Sequence, residues 1–184
     1  MFSSETFVTR RNDLRSSFDS GLLLFLGNDE SPMNFGANAY PFRQDSSFLY
    51  YFGLDQPGLA ALIDVDEGDA AIFGNEVTID DIVWTGDLPT ISEQAAAVGV
   101  TRTRTLGELQ GVVRKAVADG RAVHFLPPYR AENILRLMDL FGKPATAVMD
   151  GASLELIRAV AAMRSIKTDE EIVQLEEAVD ISVD

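Results

Sequence analysis

The chain of 184 residues is long enough for one domain of ordinary size with its own buried core. Its 29 acidic side chains against 15 basic ones give a net charge of -14, which argues against a nucleic-acid partner or a membrane surface. The absence of cysteine excludes disulfides, thiolate nucleophiles and cysteine metal sites.

The first half of the chain predicts a helix followed by strands. An amphipathic helix is expected over 4–18, with Arg10 and Arg11 on its polar side and an end before Gly21. The continuous apolar run Leu22–Leu26 lies between turn residues and is typical of a strand buried on both faces. Two further strands, joined by a tight acidic turn, are predicted as a hairpin over 59–65 and 70–73.

The second half predicts mainly helices with one more strand. The expected elements are a helix capped by Ser92, a helix over 106–118, a strand over 122–126 that Pro127 halts, and helices over 131–141 and 153–163. Strands that alternate with helices, together with the hairpin, predict an α/β fold with a mixed sheet.

The last residues predict the start of a further helix. Thr168 and Glu171 have the spacing of a capping box, and an apolar stripe of Ile172, Leu175 and Val179 follows. Such a stripe needs a partner surface, so we expect this helix to be the first element of a second domain. The boundary is expected within 164–167.

One histidine and one cluster of carboxylates could suggest chemistry, and both favour a structural interpretation. His124 is the only histidine and lies on a predicted strand without partners at the spacing of a metal site. The carboxylates of 64–69 alternate as in calcium loops, but Gly68 comes one position early for that pattern, so a solvated turn is favoured. No catalytic residue and no metal ligand are predicted in these residues.

The most specific segment is 40–53, which contains six aromatic residues together with Arg43, Gln44, Asp45 and Ser46. It favours either a capped helix that buries its aromatic side chains or a packed turn that presents their faces. Within it, the string Phe42-Arg43-Gln44-Asp45-Ser46-Ser47-Phe48-Leu49-Tyr50-Tyr51-Phe52-Gly53 resembles the signature of the creatinase-like N-terminal domain of Xaa-Pro aminopeptidases and prolidases.

Two further stretches agree with this resemblance. Ile82-Val83-Trp84-Thr85-Gly86 is similar to the Ile-Trp-x-Gly motif of the family, and Ala97-Val98-Gly99-Val100 follows it. Met163-Arg164-Ser165-Ile166-Lys167-Thr168-Asp169-Glu170-Glu171-Ile172 resembles the joint at which the catalytic domain begins, although Thr168-Asp169 replaces the commoner Ser-Pro. The three motifs occur in the family's order and span the chain.

The resemblance implies a three-layer α/β/α, ribonuclease-H-like domain over 1–165, followed in 166–184 by a linker and the first helix of a pita-bread catalytic domain. That domain would hold two divalent metal ions, commonly manganese in this family, on ligands beyond Asp184. The N-terminal domain would support homo-oligomerisation and shape the peptide entrance. Trp84 would line the substrate site of a neighbouring subunit, and the signature residues would be structural: Arg43, Asp45, Ser46, Tyr51 and Gly53.

Two readings of function therefore stand. The first is the non-catalytic N-terminal domain of an Xaa-Pro aminopeptidase, and the second is an aminopeptidase-like module that has lost its metal ligands and binds peptides or proteins, as in some histone chaperones. The apolar run Leu22–Leu26 is too short to span a bilayer and no basic segment precedes it. A cytoplasmic location is expected.

Overall fold

A five-stranded mixed sheet lies at the centre of the computed structural model, which describes residues 2–76, Gly86 and residues 89–183. The strands are β1 (Leu22–Leu26), β2 (Pro32–Phe35), β3 (Asn38–Ala39), β4 (Ala60–Asp64), β5 (Asp69–Phe73), β6 (Arg102–Arg104) and β7 (Val123–Phe125). The helices are α1 (Ser4–Arg15), α2 (Ser46–Phe52), α3 (Ile91–Ala97), α4 (Glu108–Ala118), α5 (Ala131–Phe141), α6 (Ala145–Asp150), α7 (Leu154–Ser165) and α8 (Asp169–Val183).

The strand order is β6-β5-β4-β1-β7, and β2 and β3 form a separate two-stranded sheet. β4 pairs antiparallel with β1 and β5, which confirms the predicted hairpin, whereas β7 runs parallel to β1 and β6 parallel to β5. The interior position of β1, between β4 and β7, explains its continuous apolar run, because a strand covered on both faces has no solvent side.

Successive side chains of the sheet point to opposite faces and build two apolar layers. One layer combines Leu23, Ile63 and Ile72 with side chains of α1, α2, α3 and α7, among them Leu14, Phe48, Ala95 and Leu156. The other combines Leu24, Leu62 and Phe73 with side chains of α4, α5 and α6, among them Val113, Leu137 and Val148. The expected α/β fold with a mixed sheet and helices on both faces is confirmed.

Several elements differ from the sequence-based expectation. The hairpin of β2 and β3, the edge strand β6 and the short helix α6 were not predicted, since each has few apolar residues or is too short for a periodic pattern. α1 ends at Arg15 rather than near Phe18. α3 is capped by Thr90 and not by Ser92, because Thr90 forms a complete capping box with Glu93.

Candidate functional site

The aromatic signature folds into helix α2, which has a strong cap at each end. At its N-terminus, Asp45 Oδ1 accepts hydrogen bonds from the backbone amides of Ser47 and Phe48, both at 2.9 Å. At its C-terminus, Gly53 adopts the left-handed conformation with φ of 65°. A Cβ atom at Gly53 would lie 2.3 Å from the Phe7 ring, so glycine is required there for space as well as for conformation.

Most aromatic side chains of α2 belong to the core. Phe48, Tyr51 and Phe52 are fully buried, and the Tyr51 hydroxyl donates to the Met163 sulfur at 3.5 Å. Burial raises the pKa of the Tyr51 phenol well above its ordinary value, so this group stays protonated at physiological pH. Tyr50 differs from the other three because it is only half-buried and presents its ring to two arginines.

Gln44 holds the loop before α2 against the end of β1. Its Oε1 accepts from the backbone amides of Asn28 at 2.6 Å and Asp45 at 2.9 Å, while its Nε2 donates to the carbonyls of Leu54 at 3.4 Å and Gln56 at 2.7 Å. The side chain is buried, so its amide oxygen and nitrogen are satisfied entirely by protein groups. The sequence motif 40–53 included Gln44 but did not predict these hydrogen bonds.

The other signature residues lie nearer the surface. Arg43 has an exposed side chain, and its carbonyl accepts from Asn28 Nδ2 at 2.9 Å. Ser46 is exposed, and its hydroxyl accepts from Arg164 Nη1 at 3.4 Å. Asp45 and Gly53 thus cap α2 and Tyr51 buries it in the core, whereas the side chains of Arg43 and Ser46 are exposed.

The helical pattern predicted Arg10 and Arg11 on the polar side of α1, and this was wrong. Both side chains are buried. Arg11 donates to the carbonyls of Tyr51 at 2.8 Å, Val98 at 2.7 Å and Gly99 at 3.1 Å, and so satisfies the C-terminal ends of α2 and α3. Burial lowers the pKa of Arg11 to about 10, which leaves it charged at neutral pH. Their carbonyl partners lie 40 or more residues away, so helical periodicity gave no signal for this burial.

An open groove of about 820 Å³ lies between α2 and α7, and we call it the α2–α7 groove. One wall is the start of α2 with Tyr50, and the other is a face of α7 that carries Ile157, Val160 and Ala161 and then Arg164. The lining also includes Pro127 and Tyr129, from the loop after β7, and Lys167 and Glu171, from the segment where α8 begins. The groove lies near the carboxyl ends of the parallel strands β1 and β7, where α/β folds commonly bind their ligands.

Two arginines contact the Tyr50 ring beside the groove. The guanidinium carbon of Arg10 is 4.0 Å from the ring centroid and that of Arg164 is 5.5 Å from it. Arg10 Nη2 also pairs with Glu171 Oε1 at 3.0 Å, and Arg164 Nη1 donates to the hydroxyls of Ser47 at 3.2 Å and Ser46 at 3.4 Å. Burial is the main cause of a raised pKa at Tyr50.

His124 makes structural contacts. Its Nδ1 lies 2.8 Å from Ser153 Oγ, and the imidazole packs edge-on against Phe18 with 4.9 Å between the ring centroids. Ser153 Oγ in turn accepts from the Leu156 amide as the cap of α7. Burial lowers the pKa of His124, and the charge of Glu155 opposes this shift.

The acidic loop between β4 and β5 is bound by arginines. Arg121 pairs with Asp64 at 2.5 Å and also with Asp66, while Arg102 pairs with Glu67 at 2.9 Å and Asp69 at 2.6 Å. Across residues 2–76 and 89–183, no group of three histidine or carboxylate side chains could hold a metal ion. A dinuclear metal centre therefore does not fit the described residues. Trp84 and the residues 82–85 of its motif lie outside the part of the chain that the structure describes.

The family model for the aminopeptidase P N-terminal domain matches residues 7–124. The chain belongs to this family. Its curated relatives include a probable Xaa-Pro aminopeptidase of Chaetomium globosum, 28% identical over 160 residues, which cover 87% of this chain and 26% of the relative. Another is the mitochondrial intermediate cleaving peptidase 55 of Arabidopsis thaliana, 23% identical over 168 residues, which cover 89% of this chain and 34% of the relative.

Solved structures of the aminopeptidase P of Escherichia coli share the fold. The low-pH form superposes with a TM-score of 0.76 at 20% identity, covering 94% of this chain and 41% of that chain. A variant solved in complex with substrate gives a TM-score of 0.78 at 20% identity, covering 98% of this chain and 43% of that chain. This chain thus spans about a quarter to a third of the curated relatives and less than half of the solved enzyme. Within its described part, no helix is both long and apolar enough to cross a membrane.

Proposed function

We propose that this chain is the non-catalytic N-terminal domain of a dinuclear-metal Xaa-Pro aminopeptidase, which cleaves the bond before proline at peptide N-termini. The observation that carries the proposal is the family match over residues 7–124. The curated relatives named as Xaa-Pro aminopeptidases align with 87% of the chain and extend well beyond the aligned part. Catalysis in the intact protein would then belong to a separate domain that begins with α8.

The metal ions belong to that proposed domain. Two Asp, one His and two Glu would hold a pair of divalent ions, proposed to be manganese, and such a pair would polarise the scissile carbonyl and activate a water molecule as the nucleophile. In the described residues the candidate carboxylates of 64–69 form ion pairs with Arg102 and Arg121, and His124 is hydrogen-bonded to Ser153. These groups serve the domain's own structure, which supports a non-catalytic role for it.

We further propose that the domain supports homo-oligomerisation and shapes substrate access, with Trp84 lining the active site of a neighbouring subunit. The support is the motif Ile82-Val83-Trp84-Thr85-Gly86, because an indole offers a rigid face for a proline ring. Trp84→Ala in the intact enzyme should lower kcat/KM, mostly through substrate affinity, and leave folding stability nearly unchanged. A loss of about 3 to 5 kcal/mol in stability with unchanged kinetics would instead identify a core residue.

We place the boundary of the domain at residue 165, so that 166–184 form the linker and the first helix of the catalytic domain. α8 supports this division, because Ile172, Leu175 and Val179 are all exposed on it. Deletion of residues 168–184 should therefore lower the stability of residues 1–167 by no more than about 2 kcal/mol, or about 8 °C in Tm. A larger drop in a thermal melt would make α8 integral to the N-terminal domain.

Activity measurements test the proposal as a whole. The intact protein with Mn²⁺ should release the first residue of an Xaa-Pro peptide, and a protein of residues 1–184 alone should not. An intact protein that retains peptide binding without hydrolysis would support the binding-module reading instead. We also propose a cytoplasmic location, and cell fractionation tests it against the mitochondrial location in the name of the Arabidopsis relative.

A further inference from the structure

Arg164 is a cation without a carboxylate partner in the described part of the chain. Ten ion pairs occur among the described residues, and Arg164 takes part in none of them. Its Nη1 donates only to the neutral hydroxyls of Ser46 and Ser47. We propose that Arg164 receives a carboxylate from the catalytic domain and that the α2–α7 groove is the seat of that domain, an inference that rests on the function proposed above.

The hydrogen bonds of Arg164 leave a suitable donor pair open. A guanidinium has five N–H donors, and a carboxylate prefers to bind two of them side by side. The two serine hydroxyls engage Nη1, and no described residue accepts from Nε or Nη2. The side chain is half-buried against the Tyr50 ring, so its position is restricted before any partner arrives. Such restriction reduces the entropy that binding must overcome.

The charges around the groove favour an anion. Arg10 and Arg164 contact the same ring, but the charge of Arg10 is already paired with Glu171. The carboxylate of Asp45 is likewise engaged, because it accepts from the amides of α2. The ammonium of Lys167 lies close by and donates to the Arg164 carbonyl. Arg164 and Lys167 thus form a local positive site in a protein whose net charge is -14. A carboxylate placed here gains from both cations.

The position of α8 indicates where that carboxylate comes from. Lys167 and Glu171 line the groove and flank Asp169, the first residue of α8. α8 is tied to the domain at its start, through Thr6 to Glu170 at 2.9 Å and Arg10 to Glu171 at 3.0 Å, and then presents exposed apolar residues. A catalytic domain that begins with α8 and covers its apolar face would lie directly beside the groove. The partner is therefore the catalytic domain of the same chain.

Cross-linking in the intact protein tests this contact. The Arg164→Lys variant introduces an amine that a carbodiimide couples only to a carboxylate in direct contact, and mass spectrometry identifies the joined peptides. We expect a link from position 164 to an Asp or Glu beyond residue 184. The matched control is Arg158→Lys, an exposed position on the same helix, which should give no such link. Links only to carboxylates within residues 1–184, or no link at all, would overturn the proposal.

A mixture of ¹⁴N- and ¹⁵N-labelled protein separates contacts within a chain from contacts between copies. Links of mixed isotope composition would mean that the carboxylate belongs to a second copy of the chain. That result would overturn the proposed contact within one chain. In addition, Arg164→Gln should increase amide hydrogen exchange in 46–50 and in α8 by about tenfold relative to Arg158→Gln, as expected for the loss of a charged hydrogen bond. Equal exchange in the two variants would contradict it.

These outcomes are independent of catalysis. A specific link in an intact protein that hydrolyses no Xaa-Pro peptide would leave the docking contact standing while the proposed activity fails. Hydrolysis without the link would support the proposed activity and overturn the docking contact.

Discussion

Glu171 uses its two carboxylate oxygens for different purposes, and one of them holds Arg10 across 161 residues of sequence. Oε1 accepts from Arg10 Nη2 at 3.0 Å, while Oε2 accepts from the Thr168 amide at 2.9 Å as part of the α8 capping box. The side chains of Arg10 and Glu171 are only 6% and 12% exposed. One residue therefore starts α8 and attaches it to α1.

Replacement of Glu171 by Gln should loosen α8 without unfolding the domain. The variant retains an acceptor for the cap but loses the charge that neutralises Arg10, so the free energy that holds α8 to the body should fall by about 1 to 3 kcal/mol. Hydrogen exchange of the α8 amides measures this change. Glu176→Gln, at an exposed position of α8, is the control and should leave exchange nearly unchanged. Similar exchange in both variants would mean that the Arg10 contact contributes little.

Arg11→Met should destabilise the whole domain. The substitution removes all three donors to the carbonyls of Tyr51, Val98 and Gly99 and leaves the ends of α2 and α3 without a partner. We expect a loss of about 3 kcal/mol or more in a denaturant melt, since each buried acceptor that loses its partner costs about 1 to 3 kcal/mol. Arg158→Met removes an exposed cation as a control and should change stability by less than about 0.5 kcal/mol. A loss below about 0.5 kcal/mol for Arg11→Met would show that water replaces the hydrogen bonds of the guanidinium.

Gly53→Ala and Gly120→Ala separate backbone strain from steric conflict. Both glycines have positive φ, 65° and 77°, so an alanine at either position costs about 1 kcal/mol in conformational free energy. Only at Gly53 would the new Cβ also collide with the Phe7 ring, because no atom lies within 4 Å at Gly120. Thermal melts should therefore show a loss about 2 kcal/mol larger for Gly53→Ala, as for overpacking in a core. Equal losses would mean that Phe7 moves aside freely.

The pH dependence of stability should contain a contribution from His124. Burial lowers its pKa below the ordinary value of 6.5, so the unfolded chain binds more protons than the folded one in this range. Stability should therefore be fully present above pH 6.5 and decrease as the pH falls through the folded pKa. Denaturant melts between about pH 7.5 and 5.5 should show a shallower decrease for His124→Asn. An identical slope in variant and wild type would exclude this contribution.

Local patterns determined the parts of this protein whose partners lie close in sequence. The apolar run of β1, the hairpin of β4 and β5, and the capping box of Thr168 and Glu171 could be predicted, because each depends on residues within a few positions or on a simple period. Family membership was likewise readable from three short motifs. Short elements such as β6 and α6 escaped, since three to six residues with little apolar periodicity do not distinguish a strand or helix from a loop.

Tertiary structure alone decided what the charged residues do. The cap at Glu171 was visible in the sequence, but its second oxygen meets Arg10 only because α1 and α8 come together in space. Arg11 looked like a surface residue of an amphipathic helix, yet it is buried because the carbonyl ends of α2 and α3 converge on it. The α2–α7 groove with Arg164 arises in the same way from separate elements. A hydrophobic period records which side of a helix is apolar, whereas a buried cation depends on acceptors that distant segments supply.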